Sequence, residues 1–361
     1  EGKSAKRRQW RMKRAGFEEV PRLAGTTVPV SRLARRWARE PRPYAKQVGR
    51  WSGAAEWDSA PPAVYGNPSP GDNFFIAPSA YPRYNVCNDA ERTTPMELIM
   101  LGTGNAMATQ CYNTCFVLRS GEQHLLVDGG GGNTLLRRLQ EAHIDWRDLR
   151  TIFVTHKHID HILGIAWMMR LICQNMAQGT YEGEATIYAH SQVIDLLRTL
   201  ARGLLQENHL RFLDKGLHLV AVEDGESREL IGQSTTFFDI GSTKDRQFGF
   251  SMDLGGGKKL TCCGDEPYHD CEEPYVRGST WLLHEAFCLH SQADVFHPYE
   301  KHHSTVADAC RLARELGVEN LVLYHTEDKN LPRRKELYTR EGREYFAGGL
   351  YIPDDLERIQ L

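Results

Sequence analysis

The run Thr155-His156-Lys157-His158-Ile159-Asp160-His161 holds four side chains of the kind that bind metal ions. Imidazole nitrogens and carboxylate oxygens are the natural ligands of zinc and its first-row neighbours. In extended chain, residues i and i+2 point to the same side, so His156 and His158 can reach one ion together. If the chain then turns into a helix, Asp160 and His161 can face a second, adjacent position. Two metals about 3.5–4 Å apart can share a hydroxide, and a metal-bound water has a pKa near about 7, so a nucleophile exists at neutral pH.

Such a cluster needs rigid elements behind it. Thr151–Val154 reads as a short buried strand leading into it, and Ile162–Met176 as a helix leading out. Upstream, Met96–Leu101, Cys115–Leu118 and His124–Val127 read as strands, and Asn133–Ala142 as a helix after the glycines at 129–132. Downstream, strands are predicted at Ala185–Ala189, around 217–222, 235–240, 247–253 and 259–263, and at Trp281–His284 and Asn320–Tyr324. Helices are predicted at Gln192–Leu205, Thr305–Leu316 and Arg333–Tyr345. Strand clusters interleaved with helices, in two broad halves, suggest an α/β fold with two sheets face to face and helices outside, a four-layer αββα sandwich.

The motif HxHxDH after an apolar strand resembles the metallo-β-lactamase superfamily. Further pieces resemble its ribonuclease Z-like, phosphodiesterase branch, in family order from Met96 to His325. These are Leu101-Gly102-Thr103-Gly104, Leu126-Val127-Asp128, Thr261-Cys262-Cys263-Gly264-Asp265, Leu283-His284-Glu285-Ala286, His303-Ser304-Thr305 and Leu321-Val322-Leu323-Tyr324-His325. The resemblance implies two Zn2+ ions. His156 and His158 would hold the first; Asp160, His161 and His325 would hold the second; Asp265 would lie between them. Asp160, His284, Glu285 and His303 are the implied catalytic residues, with His284 giving a proton to the leaving oxygen, Glu285 orienting it and His303 contacting the phosphate. Asp128 has two readings: it accepts an N–H from a ligating histidine, or it caps the glycine loop behind it. His302 has no matched role and reads as solvated.

One departure stands out. The family supplies another zinc-binding histidine before the Gly-Asp motif, whereas this chain reads Phe238-Asp239-Ile240-Gly241-Ser242-Thr243. The vacant slot falls near Gly241, which leaves the first site His156, His158, Asp265 and water, and so a weaker hold on its ion. Nothing in the sequence places His218 or His269 there. The departure keeps a mononuclear enzyme and a non-catalytic metal-binding protein open as alternatives.

Composition bounds the rest. The chain has 361 residues, 41% hydrophobic and 25% charged, with a formal net charge of −3. That is ordinary globular composition and excludes collagen, coiled coil and full disorder. No apolar run is long enough for a membrane span and no secretory signal is evident, so the expectation is a cytoplasmic protein without membrane contact. Nine scattered cysteines without paired spacing read as reduced thiols; Cys111 and Cys115 lack the second pair that a zinc site would need.

Residues 1–95 carry 17 basic against 9 acidic residues and 11 of the 16 prolines, and read as a poorly structured, basic extension. Residues 96–361 carry 27 basic against 38 acidic residues and read as the hydrolase domain. The implied substrate is a phosphodiester, either an RNA 3′ end or a small cyclic or diester phosphate. The acidic domain, and the lack of a Gly- and basic-rich arm between His161 and Asp265, disfavour tRNA unless another surface grips it, such as the basic extension or a rim at Arg333, Arg334 and Lys335. A thioester or amide hydrolase on the same metal core is a further alternative, and a homodimer is left open.

Overall fold

The structure, a computed structural model, describes residues 95–361. The readings made of residues 1–94 lie outside the described residues. Strands β1 (Met96–Gly102), β2 (Cys115–Ser120), β3 (Gln123–Val127), β4 (Thr151–Phe153), β5 (Ala185–Ala189) and β6 (Leu217–Ala221) form a first sheet. Strands β7 (Ser227–Leu230), β8 (Gln233–Asp239), β9 (Phe248–Gly255), β10 (Lys258–Cys262), β11 (Trp281–Glu285), β12 (Asn320–Tyr324) and β13 (Gly349–Tyr351) form a second. A last strand, β14 (Arg358–Gln360), returns to the first sheet beside β1. β3 to β6 run parallel, as do β10 to β13.

Alternation along β1 shows why the layers stack. Leu98 and Met100 enter the space between the sheets with Phe116, Phe153, Phe250 and Val322. Ile99 and Leu101 face the other way, packed with Val117, Ile152 and Leu197 under the helices α1 (Thr134–Glu141), α2 (Ile159–Gln178) and α3 (Ser191–Leu204). A strand buried on both faces must read as a near-continuous apolar run, and β1 does from Leu98 to Leu101. Each such side chain contributes about 1.5–3 kcal/mol through burial. The helices Val306–Glu315 and Arg334–Gly342 cover the outer face of the second sheet through Val306, Cys310 and Tyr338. The result is the expected four-layer αββα sandwich.

Three strands were not foreseen: β7, an exposed edge, and β13 and β14, each too short to show a period. The helix after the metal motif starts three residues earlier than predicted. His158 is the extended residue before it (φ −62°, ψ 151°), and Asp160 sits in its first turn, where the helix dipole favours a carboxylate. Gly164 lets this helix approach the loop after β3, since a Cβ there would lie 1.8 Å from the Gly129 carbonyl oxygen. The close approach is used: Gly129 N donates to His161 O at 2.8 Å and Gly164 N to Gly130 O at 3.0 Å.

Both sheets present their chemistry at strand carboxyl ends, as open α/β sheets do. β3 runs directly into Asp128 and β12 into His325, while His156 and Asp265 follow closely on β4 and β10. Asp128 and His325 both hold φ 57°, a left-handed conformation that non-glycine residues seldom adopt and that clusters at functional sites.

Candidate metal centre

The structure gathers all six expected ligands into two groups, His156–His158–Asp265 and Asp160–His161–His325, with the donor atoms of each group within 4.8 Å of one another. Asp265 Oδ2 sits at the middle. It lies 3.6 Å from His156 Nε2, 3.5 Å from His161 Nε2 and 3.4 Å from His325 Nε2. Asp160 Oδ2 lies 3.4 Å from His161 Nε2 and 3.5 Å from His325 Nε2. Ligands about 2.0–2.2 Å from a tetrahedral zinc are about 3.3–3.6 Å apart, so these separations fit an ion held between the donors. His161 Nε2 and Asp265 Oδ1 are also buried without a hydrogen-bond partner, which a coordinated ion would resolve.

Electrostatics at His156, Asp265 and Asp160 fit the same assignment. Burial pushes the His156 ring well below its usual range, so its lone pair is available. Burial would raise the Asp265 carboxyl, but His156, His161 and His325 together hold it well below the usual carboxylate range. Asp160 is likewise held low, its burial outweighed by His161 and His325. Burial lowers the His161 ring, yet Asp160 and Asp128 bring it well above its ordinary value.

The ring orientations are fixed from behind. Asp128 Oδ2 meets His161 Nδ1 at 2.7 Å and accepts from Thr155 Oγ1 at 2.8 Å, while Oδ1 accepts from Thr155 N at 2.9 Å. Of its two readings, the structure favours the contact with a ligating histidine. His158 turns Nδ1 to within 2.8 Å of His156 Nε2 and directs Nε2 at Asp245 Oδ2, 3.2 Å away. We expect Asp128→Asn to weaken zinc affinity about tenfold to hundredfold, because the amide offers a donor where three donors already converge. Competition with a chromogenic chelator measures this, and an unchanged affinity would remove Asp128 from the site.

Three expectations of placement are corrected. His284 does not reach the cluster. Neighbours on a strand face opposite ways, and His284 shares the outer face of β11 with Leu282. Its Nδ1 meets the Glu285 carbonyl at 2.7 Å, and its Nε2 lies buried in a separate pocket with Tyr268, Asp308 and Arg311. Glu285 instead turns to His303: Oε2 is 3.5 Å from His303 Nδ1, and Oε1 accepts from Ser304 N. The His303 ring stacks on Phe287 (centroids 5.1 Å apart) and lies 5.1 Å from the His325 ring.

The proposed basic rim is not free either. Arg334 is fully buried and donates to Thr103, Thr326, Pro353 O and Asp354; Arg333 pairs with Glu336, and Lys335 with Asp354 and Glu357. Finally, Gly241 has φ 73° and a Cβ there would lie 2.9 Å from Cys271 Sγ, so a histidine there would strain the backbone and force Cys271 to shift. Among the described residues, no cysteine joins either donor group, nor does His218 or His269. His302 bonds Thr243 Oγ1 at 3.0 Å.

Sequence reasoning missed Asp245, Lys244 and Phe287. All three reach the site through contacts distant in sequence, and no local pattern marks them. A cavity of about 430 Å³ opens over the cluster, with Met107, Lys244, Phe287, Lys301 and His303 in its walls.

Comparison with known proteins agrees with this geometry. A family model described as "Anti-Pycsar protein Apyc1" matches residues 96–346. A ribonuclease Z of Thermococcus sibiricus is 27% identical over 315 residues, covering 74% of this chain and 96% of its own length. The metallo-β-lactamase fold protein YhfI of Bacillus subtilis superposes with a TM-score of 0.61 at 19% identity, over 74% of this chain and all of YhfI. The short form of human tRNase Z gives a TM-score of 0.56 at 20% identity, over 73% of this chain and 98% of that one. The chain therefore belongs to the Anti-Pycsar protein Apyc1 family, in the ribonuclease Z-like branch of the metallo-β-lactamase superfamily, and is a metal-dependent hydrolase.

Proposed function

We propose that the chain is a zinc-dependent phosphodiesterase that hydrolyses a small cyclic or diester phosphate. The observation that carries this reading is the pairing of two donor groups around Asp265 with a Glu285–His303 pair at the edge of the same cavity. His156, His158 and Asp265 would hold one zinc, and Asp160, His161 and His325 the other. Zinc, when bound, supplies a nucleophile at neutral pH and a counter-charge for the phosphoryl oxygens. His303 turns Nδ1 to Glu285 and its opposite edge to the cavity, where it delivers a proton to the leaving oxygen. Glu285, fully buried, faces that ring at 3.5 Å and raises its proton affinity.

The choice of a small substrate rests on charge and size. The residues from 96 onward are net acidic, and the arginines and lysine past His325 are buried or paired. A tRNA grip needs several free cations, each releasing counterions. Eight free cysteines among the described residues support a reducing compartment such as the cytoplasm. Among those residues no helix is long and apolar enough to cross a membrane.

The test compares the zinc-loaded full chain on bis(p-nitrophenyl) phosphate, on cyclic mononucleotides and on a 3′-extended precursor tRNA at physiological salt. We expect turnover of a small diester and little cutting of the tRNA. Efficient cleavage of the tRNA at a single site would overturn the small-substrate reading. Activity confined to thioesters or lactams would overturn the phosphodiester one.

A further inference from the structure

The loop between β8 and β9 brings a lysine to the metal cavity. Ser242 organises it: its hydroxyl donates to the buried Glu266 carboxylate at 2.8 Å and accepts from the Lys244 and Asp245 amides at 3.3 Å each. This turn sets Asp245 against His158 and places the Lys244 side chain in the cavity wall beside Asp265 and His303.

The neighbouring cations are already committed. Lys157 pairs with Asp245 at 2.6 Å. Lys301 donates to the Phe296 carbonyl at 2.7 Å and lies over the Phe287 ring. Lys244 differs. Its nearest carboxylate oxygen among the described residues, Glu266 Oε1, is 4.0 Å away and already serves Ser242 and Gln247. An ammonium on a flexible stem is thus held at the cavity without a hydrogen-bond acceptor among the described residues, next in sequence to Asp245, which meets His158.

We propose that Lys244 binds a non-bridging oxygen of the substrate's phosphate, adding a fixed positive charge beside the less enclosed donor group. His158 in that group is about a third exposed, whereas Asp160, His161 and His325 are all buried. A protein cation there adds attraction for an anionic phosphate oxygen. It also keeps the phosphate oriented when the first ion is weakly held. The inference rests on the phosphodiesterase reading.

The experiment uses the zinc-loaded full chain, Lys244→Met and Lys244→Arg. Zinc per chain is measured by mass spectrometry, inorganic phosphate affinity by calorimetry, and kcat/KM on a nitrophenyl diester. We expect Lys244→Met to keep its zinc and to lose about tenfold to hundredfold in both phosphate affinity and kcat/KM, the size of one charge-assisted hydrogen bond. Lys244→Arg should retain most of both. Wild-type phosphate affinity in Lys244→Met overturns the proposal, and so does loss of zinc together with phosphate, which would assign Lys244 to holding the metal site. A wild type that hydrolyses no diester, yet binds phosphate through Lys244, supports this site while overturning the reaction.

Discussion

Asp265→Ala should abolish hydrolysis and strip zinc from a chain that remains folded. One carboxylate oxygen faces three imidazole nitrogens at 3.4–3.6 Å, so its loss removes a donor shared by both groups. It also leaves Asp160 as the only carboxylate among the remaining donors of those groups. Oriented charges in catalytic sites are each worth about a hundredfold to a thousandfold, and loss of metal adds to that. We therefore expect kcat/KM on a nitrophenyl diester to fall at least about a thousandfold. Zinc content should drop at an unchanged circular dichroism spectrum. Retained zinc with activity within about tenfold of wild type would mean that the metal sits elsewhere.

The second large effect concerns the proton. Burial pulls the His303 ring down, but the Glu285 carboxylate, together with Asp265, outweighs it and leaves the ring above its ordinary value. A general acid must start protonated, so activity is present at lower pH and falls as pH rises through this pKa. Glu285→Gln removes the charge and leaves the burial, so the alkaline limb of kcat should move to lower pH. Activity at neutral pH should fall about a hundredfold or more. Metal ions bound nearby would lower the His303 pKa in both proteins alike, so the difference between the two profiles isolates Glu285. An alkaline limb that stays in place in Glu285→Gln would transfer the proton to another group.

The cluster at 156–161 was legible because its geometry is local: one strand end, one turn and the start of one helix contain it. Asp265 and His325 were legible through the resemblance, on the strand-end motifs Gly264-Asp265 and Tyr324-His325. His284 was misplaced because a motif written as adjacent letters hides strand parity. Leu282 and His284 face the helices, Leu283 faces the opposite sheet, and Glu285 at the strand end is the residue that turns to His303. The loop at 241–247 was not legible at all, since Asp245 meets His158 across 87 positions and Thr243 meets His302 across 59. Arg334 looked like surface charge. Its burial depends on hydroxyls and a carbonyl that only the folded chain assembles.

The two donor groups divide unevenly between the halves of the sandwich. His156, His158, Asp160 and His161 belong to the first sheet and its helix, Asp265 and His325 to the second sheet. Any ion that satisfies either group is therefore a cross-link between the halves, closed only when both have formed. The complete donor set exists only in the native chain, so each tenfold excess of free metal over its dissociation constant adds up to about 1.4 kcal/mol to global stability, less what the local run at 156–161 binds when unfolded. Metal supply then sets how much of this protein a cell can keep folded as well as how fast it works.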